Sequence, residues 1–431
     1  MKKIISYVFT ACFLLICISL ALGFFFPAPA GANEQLAAKP TLQEKDGSWN
    51  ENYLPDTLDW FQDHFFGRQM LISTNNYLTA HIFGTASTDD VVLGKDGWLY
   101  FTPTLPDYND EVPLSDRQLF AMANNLALMQ EYCRQNDRAF SFVIAPNKNS
   151  LYPEAMPYRP AVQTNARRLM AVLAERGINA PDLYTTFGAE EEVLYFAHDS
   201  HWNSKGAALG ADTILASFGL QNSYYKGSFS PRPHQGDLYT MLYPAFADPE
   251  TDLVYDGTLD FSYVGNATKP DSITLRTQGS KDGTLLCYRD SFGNLLYPYL
   301  ADNFGSCLFS RSTAYDLTRE GEFVLIELVE RNLPYLIKNL PVMPAPVREI
   351  TPTAATGTVA LQQKASSMLR VTGTLPVQPD ADSPVYILCA KGAYEAFCLE
   401  NNQFGADLPA DAVVTGIAFR VNGVLQTYDA E

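Results

Sequence analysis

Through the middle of this 431-residue chain, short apolar runs stop at a polar turn and give way to helical periodicity. That alternation limits the fold more than any other feature. Phe140-Ser141-Phe142-Val143-Ile144-Ala145 ends at Pro146, and Val193-Leu194-Tyr195-Phe196, Thr284-Leu285-Leu286-Cys287-Tyr288, Cys307-Leu308-Phe309 and Phe323-Val324-Leu325-Ile326-Glu327-Leu328 follow the same rule. Nearly continuous hydrophobicity over such lengths predicts strands buried on both faces. Between them, Ser115-Asp116-Arg117-Gln118 reads as a capping box. Leu119, Met122, Leu126, Met129 and Cys133 then recur at three- and four-residue spacing, predicting a helix to about Asn136. Further helices are predicted from about Asn165 to Glu175, from about Ser204 to Phe218 and from about Asn294. Strands separated by helices imply an α/β fold with a doubly wound parallel sheet.

The flanks differ in texture. Val91-Val92-Leu93 and Trp98-Leu99-Tyr100-Phe101 enclose Gly94-Lys95-Asp96-Gly97, which predicts a hairpin. Residues 33–88 read as a packing arm, with Trp60, Phe61, Phe65 and Phe66 on an amphipathic helix. The α/β unit then spans residues 89–340. Beyond the prolines at 341, 344 and 346 the helical period is lost. Alternating runs such as Leu369-Arg370-Val371-Thr372-Gly373 and Val385-Tyr386-Ile387-Leu388 predict a small β-sandwich over residues 345–431, readable as a carbohydrate-binding module or as a packing unit.

Lys2 and Lys3 precede an apolar run from Ile4 to about Phe26, long enough for a membrane span, and Ala28-Pro29-Ala30 and Ala30-Gly31-Ala32 offer small-x-small cleavage sites. Residues 1–32 are therefore a membrane anchor or a cleaved signal peptide. Either way, the chain from about Asn33 is expected outside the cytoplasm. With 30 basic against 48 acidic residues the net charge is −18, which excludes nucleic acid as a partner. Cys133, Cys287, Cys307, Cys389 and Cys398 show no metal-ligand spacing, so no metal is expected. Spacing alone leaves a Cys389–Cys398 hairpin disulfide open beside five buried thiols.

Two turns carry chemistry. In His198-Asp199-Ser200-His201-Trp202, expected between a strand and a helix, a carboxylate two residues before a histidine can fold back onto its Nδ1. Asp199 and His201 are thus a candidate orienter and base, against the alternative of a solvated loop. In Tyr288-Arg289-Asp290-Ser291-Phe292-Gly293 a strand stops and a helix begins, the context that exposes a nucleophilic hydroxyl near helix N–H groups; an ordinary helix cap is the alternative. Ala145-Pro146-Asn147-Lys148 ends another strand at the same edge, where Asn147 or its backbone can donate to an oxyanion and Lys148 can hold a substrate carbonyl or pair with the acidic surface.

Taken in order, Gly94-Lys95-Asp96-Gly97-Trp98-Leu99-Tyr100, Ala145-Pro146-Asn147-Lys148 with Tyr152-Pro153, Asp199-Ser200-His201-Trp202 with Gly206-Ala207, and Arg289-Asp290-Ser291-Phe292 with Pro298 resemble the motif series of DHHW-type proteins. These are similar to the alginate O-acetyltransferases of the SGNH-hydrolase-like group. The resemblance covers residues from about 50 to about 335. It implies an exported SGNH-like domain in which Asp-x-His precedes the serine, the reverse of ordinary SGNH hydrolases. Ser291 would be the acetyl-accepting nucleophile, His201 the general base and Asp199 its orienter. Asn147, Lys148, Arg289 and Trp202 would stand on the substrate or oxyanion side, Arg289 replacing the glycine of ordinary SGNH enzymes. No cofactor is implied. The implied partners are a polysaccharide acceptor and a membrane-bound acyltransferase supplying acetyl groups. A carbohydrate acetylesterase on the same residues and a non-catalytic polysaccharide-binding protein are the rival readings.

Overall fold

The computed structural model of the chain describes residues 2–26, 36–86, 88–160, 163–351 and 353–431. Its central sheet has six strands in the order Ala139–Ala145, Phe323–Val329, Thr284–Tyr288, Ser306–Ser310, Thr274–Gly279 and Phe261–Tyr263. The first four pair parallel, as the apolar runs predict. The last two pair antiparallel, so the sheet is mixed rather than wholly parallel. The rim escapes an apolar-run reading because Thr274–Gly279 buries only every second residue, Leu275 and Thr277, as a half-solvated antiparallel strand does.

Within the parallel strands alternate residues serve two cores. Phe140, Phe142, Ile144, Leu286, Tyr288, Val324, Ile326 and Leu328 pack under helices Asp116–Gln135 and Asn165–Glu175, while Val143, Ala145, Leu285, Cys287, Leu325 and Val329 pack under Ser204–Ser217 and Gly293–Ala301. That period of two is what a sheet covered on both faces demands. The capping box at Ser115 forms as read, with Gln118 reciprocating. The hairpin forms too, between Val91–Leu93 and Leu99–Phe101, and Asp96 and Gly97 take positive φ of 54° and 82° at its turn.

Among the described residues beyond 341 the strands belong to one curled sheet. All but one of the nine strands lie on one hydrogen-bonded path and the ninth pairs at its side, so the region is a curled sheet rather than two separately paired ones. Strand Gly392–Cys398 is the hinge of the curl: it pairs with Val385–Cys389 along most of its length and with Gln403–Leu408 only through Phe397 and Cys398. Cys389 and Cys398 stand at opposite ends of that strand, about 20 Å apart at strand rise, and both thiols are free.

The curled sheet is built onto the α/β unit. Val385, Ile387, Phe397, Phe404, Ile417 and Phe419 share one hydrophobic cluster with the Asp116–Gln135 helix. Asn125, 0% exposed, donates to the carbonyls of Leu336 (3.0 Å) and Cys398 (2.9 Å) and accepts from the Cys398 N–H (3.0 Å).

At the other end, helix Lys2–Phe25 is followed by Tyr53–His64, which buries Trp60, and Arg68–Phe83. Among the described residues no helix is long and apolar enough to cross a membrane, so the anchor reading rests on the sequence alone. The cleavage motifs at 28–32 lie outside the described residues.

Removing the Asn125 amide orphans three buried main-chain groups. Asn125→Ala is expected to lower the unfolding free energy by about 3 kcal/mol in urea titrations; a loss under about 0.5 kcal/mol would mean the two sheets do not depend on this joint.

Candidate active site

The segment carrying Asp199 and His201 is not a sheet strand, contrary to the reading of Val193–Phe196; its only ladder contact is an isolated bridge between Tyr195 and Trp202. Side chains hold its backbone instead. The Tyr152 hydroxyl accepts from the Leu194 N–H (2.8 Å), and Glu250 accepts from the N–H groups of Ala197 (2.7 Å) and His198 (2.9 Å). Lys148 Nζ donates to the carbonyls of Phe196 (3.0 Å), Ala197 (3.0 Å) and Asp199 (2.6 Å). The chain then enters helix Ser204–Ser217, where Gly206 is required because a Cβ would lie 2.4 Å from the Leu194 carbonyl oxygen.

Ser291 stands between strand Thr284–Tyr288 and helix Gly293–Ala301. Asp290 fixes this turn, accepting from the N–H groups of Phe292 (3.0 Å) and Val329 (2.8 Å) and from Asn332 Nδ2 (2.7 Å). Trp202, 0% exposed, rivets the two turns together by donating from Nε1 to the Phe292 carbonyl (3.1 Å) and packing edge-on against the Phe292 ring.

The result is a linear contact: Asp199 Oδ1 to His201 Nδ1 at 2.7 Å and His201 Nε2 to Ser291 Oγ at 2.9 Å, across 90 residues of chain. Asp199 is 5% exposed and also accepts from the main-chain N–H groups of His201 and Asp237 (3.0 Å each) and from His234 Nε2 (2.9 Å). Burial alone would raise its pKa, but the bonds from His201, His234 and Asp237 hold the carboxyl well below its ordinary 3.8. A carboxylate on Nδ1–H leaves Nε2 as the acceptor facing the serine. Among the described residues the Ser291 main-chain N–H donates no hydrogen bond, so a donor stands free at the nucleophile for a developing oxyanion.

Ser291 and His201 open onto a cleft of about 750 Å³, also lined by Phe101, His234, Asp237, Met241, Phe292 and Arg331. Asn147, Lys148, Arg289 and Trp202 do not line it: Asn147, Lys148 and Trp202 are buried, whereas Arg289 lines a second cavity that Ser291 shares. Lys148 is 4% exposed, and burial pushes its ammonium down to about 7 against the pull of Asp199, Asp237 and Glu250; its donors are spent on the Asp199 turn. Asn147 is buried, and its Oδ1 accepts from Arg331 Nη1 (3.2 Å). Arg289 is buried too, donating to Asn294 Oδ1 (2.6 Å) and the carbonyls of Asp290 (3.1 Å) and Pro270 (2.5 Å); it lines a smaller cavity of about 340 Å³ beside Ser291.

Among the cleft residues that the sequence reading missed are His234, Asp237 and Arg331. Arg331 follows the Phe323–Val329 strand at the same sheet edge and lies over the rings of Phe101 and Phe292, so the rule that found Ser291 could have found it. His234 ends strand Phe229–His234, which has no apolar signature, and Asp237 opens the short helix Asp237–Leu242. Asp199, His201 and Asp237 each bring one ligand atom within 4.8 Å of the others, the one such grouping among the described residues. Those atoms are engaged with one another, with His234 and with Ser200 Oγ, so a cation would have to break the contact that reaches Ser291.

An α/β domain with aligned carboxylate, imidazole and hydroxyl has the arrangement of a nucleophilic-serine site. Residues 91–249 match the family model of the SGNH hydrolase-like domain, acetyltransferase AlgX. That segment carries Lys148, Asp199, His201 and His234 and stops short of Ser291. Among solved structures the chain is similar to the O-acetyltransferase domain of Pseudomonas putida AlgJ (19% identity, 58% of this chain and 93% of that one, TM-score 0.39). It is also similar to a DHHW family protein from Eubacterium siraeum (16%, 60% and 98%, 0.42) and to Bacillus cereus PatB1 (17%, 57% and 97%, 0.44). No curated protein matches the chain.

Because the folded-state pKa of Asp199 lies below 3.8, its contribution to stability is present above that pH and is lost as the pH falls below it. Acid titrations of unfolding are expected to show a steep loss below about pH 4 that Asp199→Asn flattens; parallel profiles would mean the carboxylate is not held as described.

Proposed function

We propose that this protein is an extracytoplasmic O-acetyltransferase that passes an acetyl group through an acetyl-serine at Ser291 to hydroxyls of a cell-surface or secreted polysaccharide. The observation that carries the reading is the line from Asp199 through His201 to Ser291, at 2.7 and 2.9 Å, on the wall of the large cleft. The match of residues 91–249 to an acetyltransferase domain supports transfer over hydrolysis.

His201 Nε2 takes the Ser291 proton as Oγ attacks the donor ester carbonyl, and returns it to the departing alkoxide as the donor C–O bond breaks. A sugar hydroxyl then gives its proton to the same nitrogen and attacks the acetyl-serine carbonyl; Ser291 leaves and recovers a proton. Asp199 stabilises the imidazolium in both halves. Arg331, charged and between two rings in the cleft, is placed to bind sugar oxygens or the donor carbonyl. Residues 1–32 would hold the chain at a membrane, where a membrane-bound acyltransferase supplies acetyl groups. The unit over 89–340 does the chemistry, and the 345–431 unit packs against it through a shared hydrophobic cluster.

Ser291→Ala and His201→Ala are each expected to lower acetyl transfer from an activated acetyl ester to oligosaccharide by about a thousandfold or more without changing the far-UV spectrum, with Asp199→Asn leaving a weak residue. Full activity in any of the three would remove the assignment, and acetyl lost only to water would replace the transferase with an esterase.

A further inference from the structure

Asp199 serves two imidazoles. One oxygen takes His201 Nδ1, and the other takes His234 Nε2 at 2.9 Å. His234 is fixed as firmly as the base is. It ends strand Phe229–His234, its ring stacks on Phe196 at 3.9 Å, and the following Gly236 passes so close that a Cβ would lie 2.1 Å from the His198 carbonyl oxygen. The Asp237 N–H then closes on Asp199 Oδ2 (3.0 Å). The ring also lines the catalytic cleft, so it exchanges protons with solvent while touching the carboxylate behind the base.

Resting on the acyl-transfer reading above, we propose that His234 is a positioning residue that shares the Asp199 carboxylate with His201, and that the proton it carries sets how much negative charge remains to stabilise the His201 imidazolium. A neutral His234 with Nε2–H holds the carboxylate in place and leaves its charge to His201. A second proton, on Nδ1, compensates that charge and makes His201 a weaker base, slowing proton removal from Ser291.

The surrounding charges favour the imidazolium. Burial opposes protonation, but the bond to Asp199 and the nearby Asp199, Glu250 and Asp252 carboxylates raise His234 above its ordinary 6.5. Glu250 lies opposite it on the paired strand and Asp252 two residues on; Asp237 flanks Asp199 from the start of helix Asp237–Leu242, and the Lys148 ammonium sits behind on the Asp199 carbonyl. Arg232, on the same strand, is exposed. The two imidazoles therefore share one carboxylate, and protonation of either is felt by the other.

Histidine NMR on the full chain, which has only five histidines, and pH–rate profiles with an activated acetyl ester test this together. In His234→Gln, whose amide can still donate to Asp199, the His201 titration is expected to move up by about one pH unit, and a two-step acid limb with a shoulder of about tenfold is expected to become a single step. His234→Phe, which cannot donate, is expected to lower kcat by about tenfold with KM moved less, the glutamine recovering more of it. A His201 titration unmoved in His234→Gln, or superimposable profiles, overturns the proposal even in a fully active enzyme. Absent turnover in every form, with the His201 shift present, would instead remove the acyl-transfer reading and leave the coupling standing.

Discussion

Everything at the site depends on keeping one buried carboxylate charged. A lone ionised carboxylate away from water is costly, and Asp199 is made tolerable by four N–H donors: His201 ring and main chain, His234 and the Asp237 main chain. Those donors come from two separate segments, 198–201 and 234–237, so both must be in place before the carboxylate can be. Lys148 completes the arrangement from behind by taking three carbonyls of the same turn. Burial at 4% exposure lowers the Lys148 pKa to about 7, against the pull of Asp199, Asp237 and Glu250.

The division between what could be read and what could not follows from whether a signal is local. The Ser115 capping box, the Asp96-Gly97 turn and the buried parallel strands are written in adjacent residues, and each forms where the residues place it. Asp199 and His201 were legible for the same reason, two residues apart, and Ser291 because a strand stops and a helix starts around it. The 193–196 run reads as a strand because it is apolar, but it is held by Tyr152, Glu250 and Lys148, and such long-range side-chain bonds leave no local pattern. Lys148 was assigned to substrate for the complementary reason: a cation near a site motif looks free until its acceptors, three main-chain carbonyls about 50 residues on, are seen.

The C-terminal strands show the same limit at larger scale. Alternation along Val385–Cys389 or Leu369–Thr374 reveals a covered face without revealing what covers it. Here the cover is partly the Asp116–Gln135 helix, joined through Asn125 and through Arg348, which bridges Glu131 and Glu395.

The central claim is that Ser291 carries the acyl group between donor and acceptor. Time-resolved intact mass of the full chain mixed with an activated acetyl ester, with peptide mapping and with or without oligosaccharide, tests it most directly. The account expects a single acetyl adduct on Ser291 that discharges faster when sugar hydroxyls are present than in water alone. An adduct on another residue, or none on a folded chain, would contradict it.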